Sequence, residues 1–264
     1  MMEFDDATAV QRLTSTRYRA QIQPEWFGGA GPSGGYLAAI LLRALTDTVR
    51  ERERIARTLH CQFLRPPTAG LVDVHVRVRK VGRRVTFLGA SLAQAEHPCV
   101  VASAVFALAG DATDDYLDLK MPRIPSAEEL SRAPTSDSDP PIFGQLDMRP
   151  AIGPAPLSGA DQSLGGGWIR LRPARVCDPM ALCLYADGWF PSPTSRMRSL
   201  PSSPTIEYSI YFRGPTTGSY DGGDHVLVKV SSLSATEGFF DEDALVWSPD
   251  GALLAQARQY AVLR

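Results

Sequence analysis

Between positions 36 and 45 the chain is apolar on every side apart from Arg43, which leaves a helix there no face for water. Such a helix has to be wrapped by other structure, and four extended runs follow it, at 58–64, 71–81, 85–93 and 100–108. In the second run Val72, Val74, Val76 and Val78 alternate with Asp73, His75, Arg77 and Arg79, the period-two signature of an antiparallel strand with one buried face. The plan then recurs. Residues 178–189 read as a second apolar helix, and 205–212, 226–232, 238–247 and 253–263 read as strands, the last two joined by the turn Ser248-Pro249-Asp250-Gly251. Thr58-Leu-His-Cys-Gln-Phe-Leu-Arg65-Pro66 and Thr205-Ile-Glu-Tyr-Ser-Ile-Tyr-Phe-Arg213-Gly-Pro215 open the two strand series, each ending in Arg shortly before Pro. That echo supports a duplicated unit.

The stretch between the two series holds Pro122, Pro125, Pro134, Pro140, Pro141, Pro150, Pro154 and Pro156, with Ser and Asp among them. Proline removes ladder donors and breaks helices, so this stretch is expected to hold neither a ladder nor a long helix. It divides the chain into a first unit at 1–115, a Pro-rich linker at 116–165 and a second unit at 166–264. The class is α+β: two tandem units, each an antiparallel sheet wrapped around a long apolar helix.

Composition removes several functions. At 264 residues the chain is long enough to bury a core without metal or disulfide staples. The formal net charge of -2, from 27 Lys and Arg against 29 Asp and Glu, gives no general attraction to nucleic acid or an anionic membrane. An acidic start and the absence of a long apolar run speak against a secretory leader or a membrane span, so a cytoplasmic protein is expected. Cys61, Cys99, Cys177 and Cys183 lack paired zinc spacing and read as reduced core residues; the alternative, a nucleophilic Cys, needs a base that no motif supplies. His60, His75, His97 and His225 have no metal-ligand spacing.

Several segments carry a more specific resemblance: the Gly34-Gly35 helix start, His60 with Phe63-Leu64-Arg65-Pro66, Tyr185-Ala186-Asp187, Thr205-Ile206-Glu207-Tyr208-Ser209, and the ending Asp250-Gly251 with Gln259-Tyr260-Ala261-Val262-Leu263-Arg264. Over nearly its whole length the chain resembles the double-hotdog acyl-CoA thioesterases of the bacterial type II (TesB-like) family. The resemblance implies tandem hotdog units and hydrolysis of acyl-CoA to a free acid and CoA, without metal or organic cofactor. It also implies an Asp, a Thr and a Gln that hold the attacking water, and these fall on Asp187, Thr205 and Gln259. The chain departs from the family where Glu207-Tyr208 replaces Asp-His and Tyr260-Ala261 replaces Glu-Gly.

Taken without the family, the same residues still stand out. Asp187 rises from the apolar stripe near a helix C-terminus, where burial and the helix dipole both disfavour its charge; the bland reading is a frayed end facing solvent. Gln259 alternates in register with Ala255, Ala257 and Ala261, on an inward face of small residues, where it either acts on substrate or satisfies backbone groups. Thr205 follows Pro204 at a strand start, a position that suits a structural Thr equally well. Gly34 and Gly35 offer unpaired first-turn N–H groups for an oxyanion, or else a plain helix start capped by Ser33. Arg65 and Arg213, at equivalent strand ends, are candidates for CoA phosphate, with His60 a further substrate contact. Much of the acyl tunnel is expected from the first unit, and a homodimer or higher oligomer is expected as well. Gly31-Pro32-Ser33-Gly34-Gly35 also fits a nucleophile elbow, but no core strand precedes it. Asp73 and His75, a pairing that a hydratase would need, share a solvated strand face. The runner-up is a non-catalytic acyl-CoA or lipid-binding hotdog protein.

Overall fold

The computed structural model describes residues 3–29, 31–110, 116–136, 138–199, 202–213 and 224–263; Gly214, Pro215 and Arg264, quoted above, lie outside the described residues. Its helices are α1 (Phe4–Ala7), α2 (Gly34–Val49) and α3 (Pro179–Tyr185). The first half contains strands β1 (Gln11–Arg12), β2 (Arg17–Ile22), β3 (Ile55–Phe63), β4 (Gly70–Val81), β5 (Val85–Gln94) and β6 (His97–Ala107). The second contains β7 (Leu146–Ile152), β8 (Leu164–Leu171), β9 (Thr205–Phe212), β10 (Val226–Ser231), β11 (Ala235–Thr236), β12 (Phe239–Trp247) and β13 (Leu253–Val262). All belong to one sheet in the order β1-β2-β4-β5-β6-β3-β9-β13-β12-β10-β8-β7, with β11 beside β12. Among the described residues, no helix is long and apolar enough to cross a membrane.

The order reads outward from its centre as two equivalent series, β3-β6-β5-β4-β2 and β9-β13-β12-β10-β8. The two segments that echo each other in sequence are therefore the equivalent strands of the halves, and they lie side by side. Their antiparallel register pairs Thr58 with Tyr211, His60 with Ser209 and Gln62 with Glu207. Two sheets thus become one through the strand pair that duplication would place on a pseudo-twofold axis.

Helix α2 is stabilised by burial more than by propensity, since two glycines in its first turn disfavour it. Tyr36, Leu37, Ile40, Leu41, Leu42 and Leu45 are buried against β3, β4, β5, β6 and α3. Each such aliphatic side chain is worth ~1.5–3 kcal/mol of transfer free energy. Ser33 caps the start by accepting from the Tyr36 N–H, and the helix ends where Arg50 turns left-handed at φ 59°.

Four features depart from the sequence reading, the first being β2, whose buried Tyr18, Ala20 and Ile22 put a strand before Ser33 where none was read. The second helix, expected over 178–189, ends at Tyr185, because the chain folds back so closely that a Cβ on Gly188 would lie 2.9 Å from the Leu184 carbonyl oxygen. The stretch 116–165, expected to hold no ladder, contains β7. Pro150 is tolerated there because β7 is an edge strand and a register shift falls between Pro150 and Ile152. Strand β8 escaped detection because Gly165-Gly166-Gly167 carries no side-chain alternation. A Cβ on Gly166 would sit 2.2 Å from the Val228 carbonyl oxygen, so the neighbouring strand's approach requires glycine.

The Pro-rich segment is more than a tether. Met121, Ile124, Ala127 and Leu130 pack on the outer face of the second half against Trp168, Leu227 and Trp247, three residues in register across β8, β10 and β12. The Trp168 indole donates to the Pro125 carbonyl at 2.9 Å.

Candidate active site

The first turn of α2 has glycine at position 35 because the end of α3 passes too close for any side chain. A Cβ on Gly35 would lie 2.3 Å from the Cys183 carbonyl oxygen and 2.9 Å from both Leu184 Cα and Asp187 Cβ. This approach brings the Gly35 N–H within 2.7 Å of Asp187 Oδ2, and the Ser33 hydroxyl donates to the same oxygen at 2.8 Å. Asp187 projects from the turn just past α3, partly buried. Burial pushes its carboxyl up to about 6, with the Gly35 and Ser33 donors holding it from going higher. The carboxyl therefore changes charge near neutrality, with donors aimed at one of its two oxygens.

The sheet supplies the second cluster. Strands β9 and β13 pair Tyr260 with Glu207 but Ala261 with Thr205, so Ile206 is an extra residue in a bulge. Were Ile206 paired in regular alternation, Thr205 would share the outward face of Glu207 and Ser209; the bulge turns it inward, beside Gln259. The Thr205 hydroxyl donates to Gln259 Oε1 at 2.9 Å, and Gln259 Nε2 donates to Glu242 Oε1 at 3.0 Å. Gln259 is buried, and its inward register with Ala255, Ala257 and Ala261 is as the alternation predicted. Glu242 stands opposite Gln259 on β12 and is 2% exposed. Its other oxygen accepts from the Ser192 N–H. Burial pushes the Glu242 carboxyl up to about 7, the Ser192 and Gln259 donors opposing and the Asp187 charge adding to the rise.

The two clusters share one neighbourhood. Tyr208 lies in register with Gln259 and donates its hydroxyl to the Cys183 carbonyl at 3.0 Å, the carbonyl that Gly35 approaches. The charge of Asp187 acts on both Tyr208 and Glu242. Asp187 makes its hydrogen bonds to the start of α2, while Thr205 and Gln259 bond each other.

Just beyond Asp187 the chain enters the wall of a cavity of about 640 Å³, bordered by Trp189, Phe190 and Ser192 on one side and by Phe143, Met148 and Ile152 on another. Phe143 and Phe190 stack with centroids 4.5 Å apart. The walls of this cavity come from residues 132–195, outside the first unit. The first unit contributes Ser33 and Gly35 instead.

The remaining candidates lie elsewhere. His60 is directed to the outer face of the sheet, where its Nδ1 meets Ser209 Oγ at 2.8 Å. Arg213 is exposed, bonds Gln256 Oε1 at 2.7 Å and covers the Tyr211 ring, and Arg65 is exposed just past β3. The Gly35 N–H, assigned from sequence to an oxyanion, is taken by Asp187. All four cysteines are free and buried, and burial raises the Cys61 thiol to about 12 and that of Cys183 well above its ordinary value, which disfavours the thiolate. Sequence reasoning passed over Glu242, although its alternation with Phe240, Ala244 and Val246 marks a carboxylate on an apolar face. Ser192 left no comparable signal.

Residues 22–107 match the model of the acyl-CoA thioesterase N-terminal domain, and residues 123–263 match that of the acyl-CoA thioesterase C-terminal domain. The chain belongs to the acyl-CoA thioesterase family. It is a thioester hydrolase by that membership. Among solved structures it is similar to a conserved hotdog-fold protein of unknown function from Alicyclobacillus acidocaldarius, at 23% identity and TM-score 0.89, covering 99% of this chain and 97% of that one. It is also similar to a tesB protein of Mycobacterium avium subs paratuberculosis, at 18% identity and TM-score 0.80, covering 99% and 98%. The acyl-CoA thioesterase II TesB2 of Mycobacterium marinum gives 20% identity and TM-score 0.78, covering 99% and 98%. At these identities the likeness establishes the fold, two tandem hotdog units. No curated protein matches the chain.

Proposed function

We propose that the protein hydrolyses acyl-CoA by direct attack of water, with Asp187 as general base and Thr205 and Gln259 holding the nucleophile. The observation that carries this reading is the Asp187 carboxyl: both donors converge on Oδ2, so Oδ1 is left to accept a proton. A group that ionises at about 6 is a competent base near neutral pH. Because Thr205 donates to Gln259, its oxygen keeps lone pairs for one water hydrogen, and the second amide hydrogen of Gln259 is free for the water oxygen. The water attacks the thioester carbonyl carbon, the C–S bond breaks, and the proton taken by Asp187 passes to the departing sulfur. The Gly34 N–H, in the first turn of α2, is the proposed donor to the developing oxyanion.

The acyl chain occupies the cavity beside Trp189 and Phe190, whose wall is continuous in sequence with Asp187. CoA remains outside, where Arg65 and Arg213 are exposed to meet its phosphates. The protein acts in the cytoplasm as a homodimer or higher oligomer, without metal or organic cofactor; a gel-filtration peak at monomer size removes the oligomer. A panel of acyl-CoA esters of increasing chain length, followed by free thiol, tests the activity. Thiol release that depends on chain length supports it, and binding of the same esters without thiol release assigns the non-catalytic role instead.

A further inference from the structure

Glu242 is a buried carboxylate with no cation beside it among the described residues, in a strand otherwise apolar on its inner face. An uncompensated charge there is costly, so its hydrogen bonds indicate what it does. Both oxygens are engaged by N–H donors, Gln259 Nε2 on one and the Ser192 backbone on the other. Gln259 turns its amide nitrogen toward Glu242 and its carbonyl toward Thr205, the orientation that the ionised carboxylate, which only accepts, requires. That orientation makes the Thr205 hydroxyl a donor to Gln259 and leaves its lone pairs free. With the amide turned over, Gln259 would donate to Thr205, and the Thr205 hydrogen would no longer be held by Gln259. Ser192, the other donor, stands in the wall of the cavity.

We propose that Glu242 is the positioning residue of this site: it fixes the sense of the Gln259 amide, and through it the donor and acceptor roles of Thr205, and it ties that pair to the cavity wall at Ser192. The activity arm of the test rests on the thioesterase reading, whereas the orientation of Gln259 does not. Glu242 acts through Gln259 and touches neither water nor substrate.

Glu242→Gln is close to isosteric but offers one acceptor where two donors converge, so Gln259 loses its fixed orientation. Steady-state thiol release should show kcat reduced about tenfold or more with KM within about twofold of wild type, as expected when the nucleophile is mispositioned. The decisive comparison is a cycle with Gln259→Ala. If Glu242 works through Gln259, adding Glu242→Gln to that variant costs about twofold or less; an equal loss in both backgrounds overturns the proposal. A second measurement needs no turnover. The side-chain amide resonances of Gln259, assigned by their disappearance in Gln259→Ala, should shift in Glu242→Gln, and unchanged resonances overturn the proposal. Absence of thiol release from the wild-type protein refutes the thioesterase reading, and the amide spectrum then decides the Glu242 assignment by itself.

Discussion

Substituting Gly35 by Ala tests the contact on which the site is built. The added Cβ would meet the Cys183 carbonyl oxygen at 2.3 Å and Leu184 Cα and Asp187 Cβ at 2.9 Å. Two of those atoms are backbone, so no rotamer change relieves the clash, and α2 and α3 must part by about 1 Å to restore ordinary contact. Overpacking of this kind costs ~1–3 kcal/mol, and alanine recovers up to ~1 kcal/mol of helix propensity. A net loss of about 1–2 kcal/mol corresponds to a Tm lowered by roughly 2–8 °C for a chain of this size. The same displacement lengthens the 2.7 Å bond from the Gly35 N–H to Asp187 Oδ2, so the Asp187 pKa rises and the acid limb of the pH–rate profile moves to higher pH. Gly34→Ala is the control. Its Cβ would meet the tip of the Phe63 ring at 3.0 Å and Asp187 Oδ2 at 3.6 Å, and a ring tip is able to shift. Thermal unfolding and pH–rate profiles of both variants decide the matter. If Gly35→Ala matches Gly34→Ala in Tm and leaves the acid limb in place, the reasoning is wrong.

Other expectations follow from the same geometry. Ser33→Ala removes one donor from the Asp187 carboxylate and should move the acid limb of kcat/KM up by about one to two pH units, since a hydrogen bond to a charged group is worth ~1.5–3 kcal/mol. Asp187 and Glu242 have folded-state pKa values raised to about 6 and about 7, above the ordinary 3.8 and 4.5. The stability they contribute is therefore present below about pH 4 and lost as pH rises through 6 to 7. Urea midpoints should accordingly show Asp187→Asn gaining on wild type from pH 4 to pH 7, and a constant difference contradicts this. Thr205→Val keeps the shape and removes the hydroxyl, and should lower kcat about tenfold to a hundredfold with KM little changed, measured by thiol release. Ala133→Trp, which projects a ring into the cavity, should shift the preferred acyl-CoA to shorter chains, and an unchanged preference would remove the acyl chain from that cavity.

The fold was legible wherever burial leaves a period in the chain. The all-apolar stretch of α2, the alternation of β4 and the small-residue face of β13 each state their partner by pattern alone. Strand β8 was hidden because its glycines erase the period, and β7 because a proline on an edge strand costs no ladder bond. In the site, the inward face of Gln259 could be read from alternation. That of Thr205 could not: it depends on a bulge at Ile206, which no residue type in β9 announces. The role of Gly35 was misassigned for a related reason. A glycine at a helix start shows that something comes close, and here the approaching group is the turn that carries Asp187, which is remote in sequence. Glu242 carried a visible signal, a charge in an apolar register, but its two donors arrive from different parts of the chain.

The central claim is that Asp187 takes the proton of the attacking water, and Asp187→Asn tests it most directly. The amide keeps an oxygen for the Gly35 and Ser33 donors and loses the base. Its rate of thiol release from a saturating acyl-CoA should fall by about a hundredfold or more with acyl-CoA binding retained. Release at the wild-type rate by the folded variant would contradict the account.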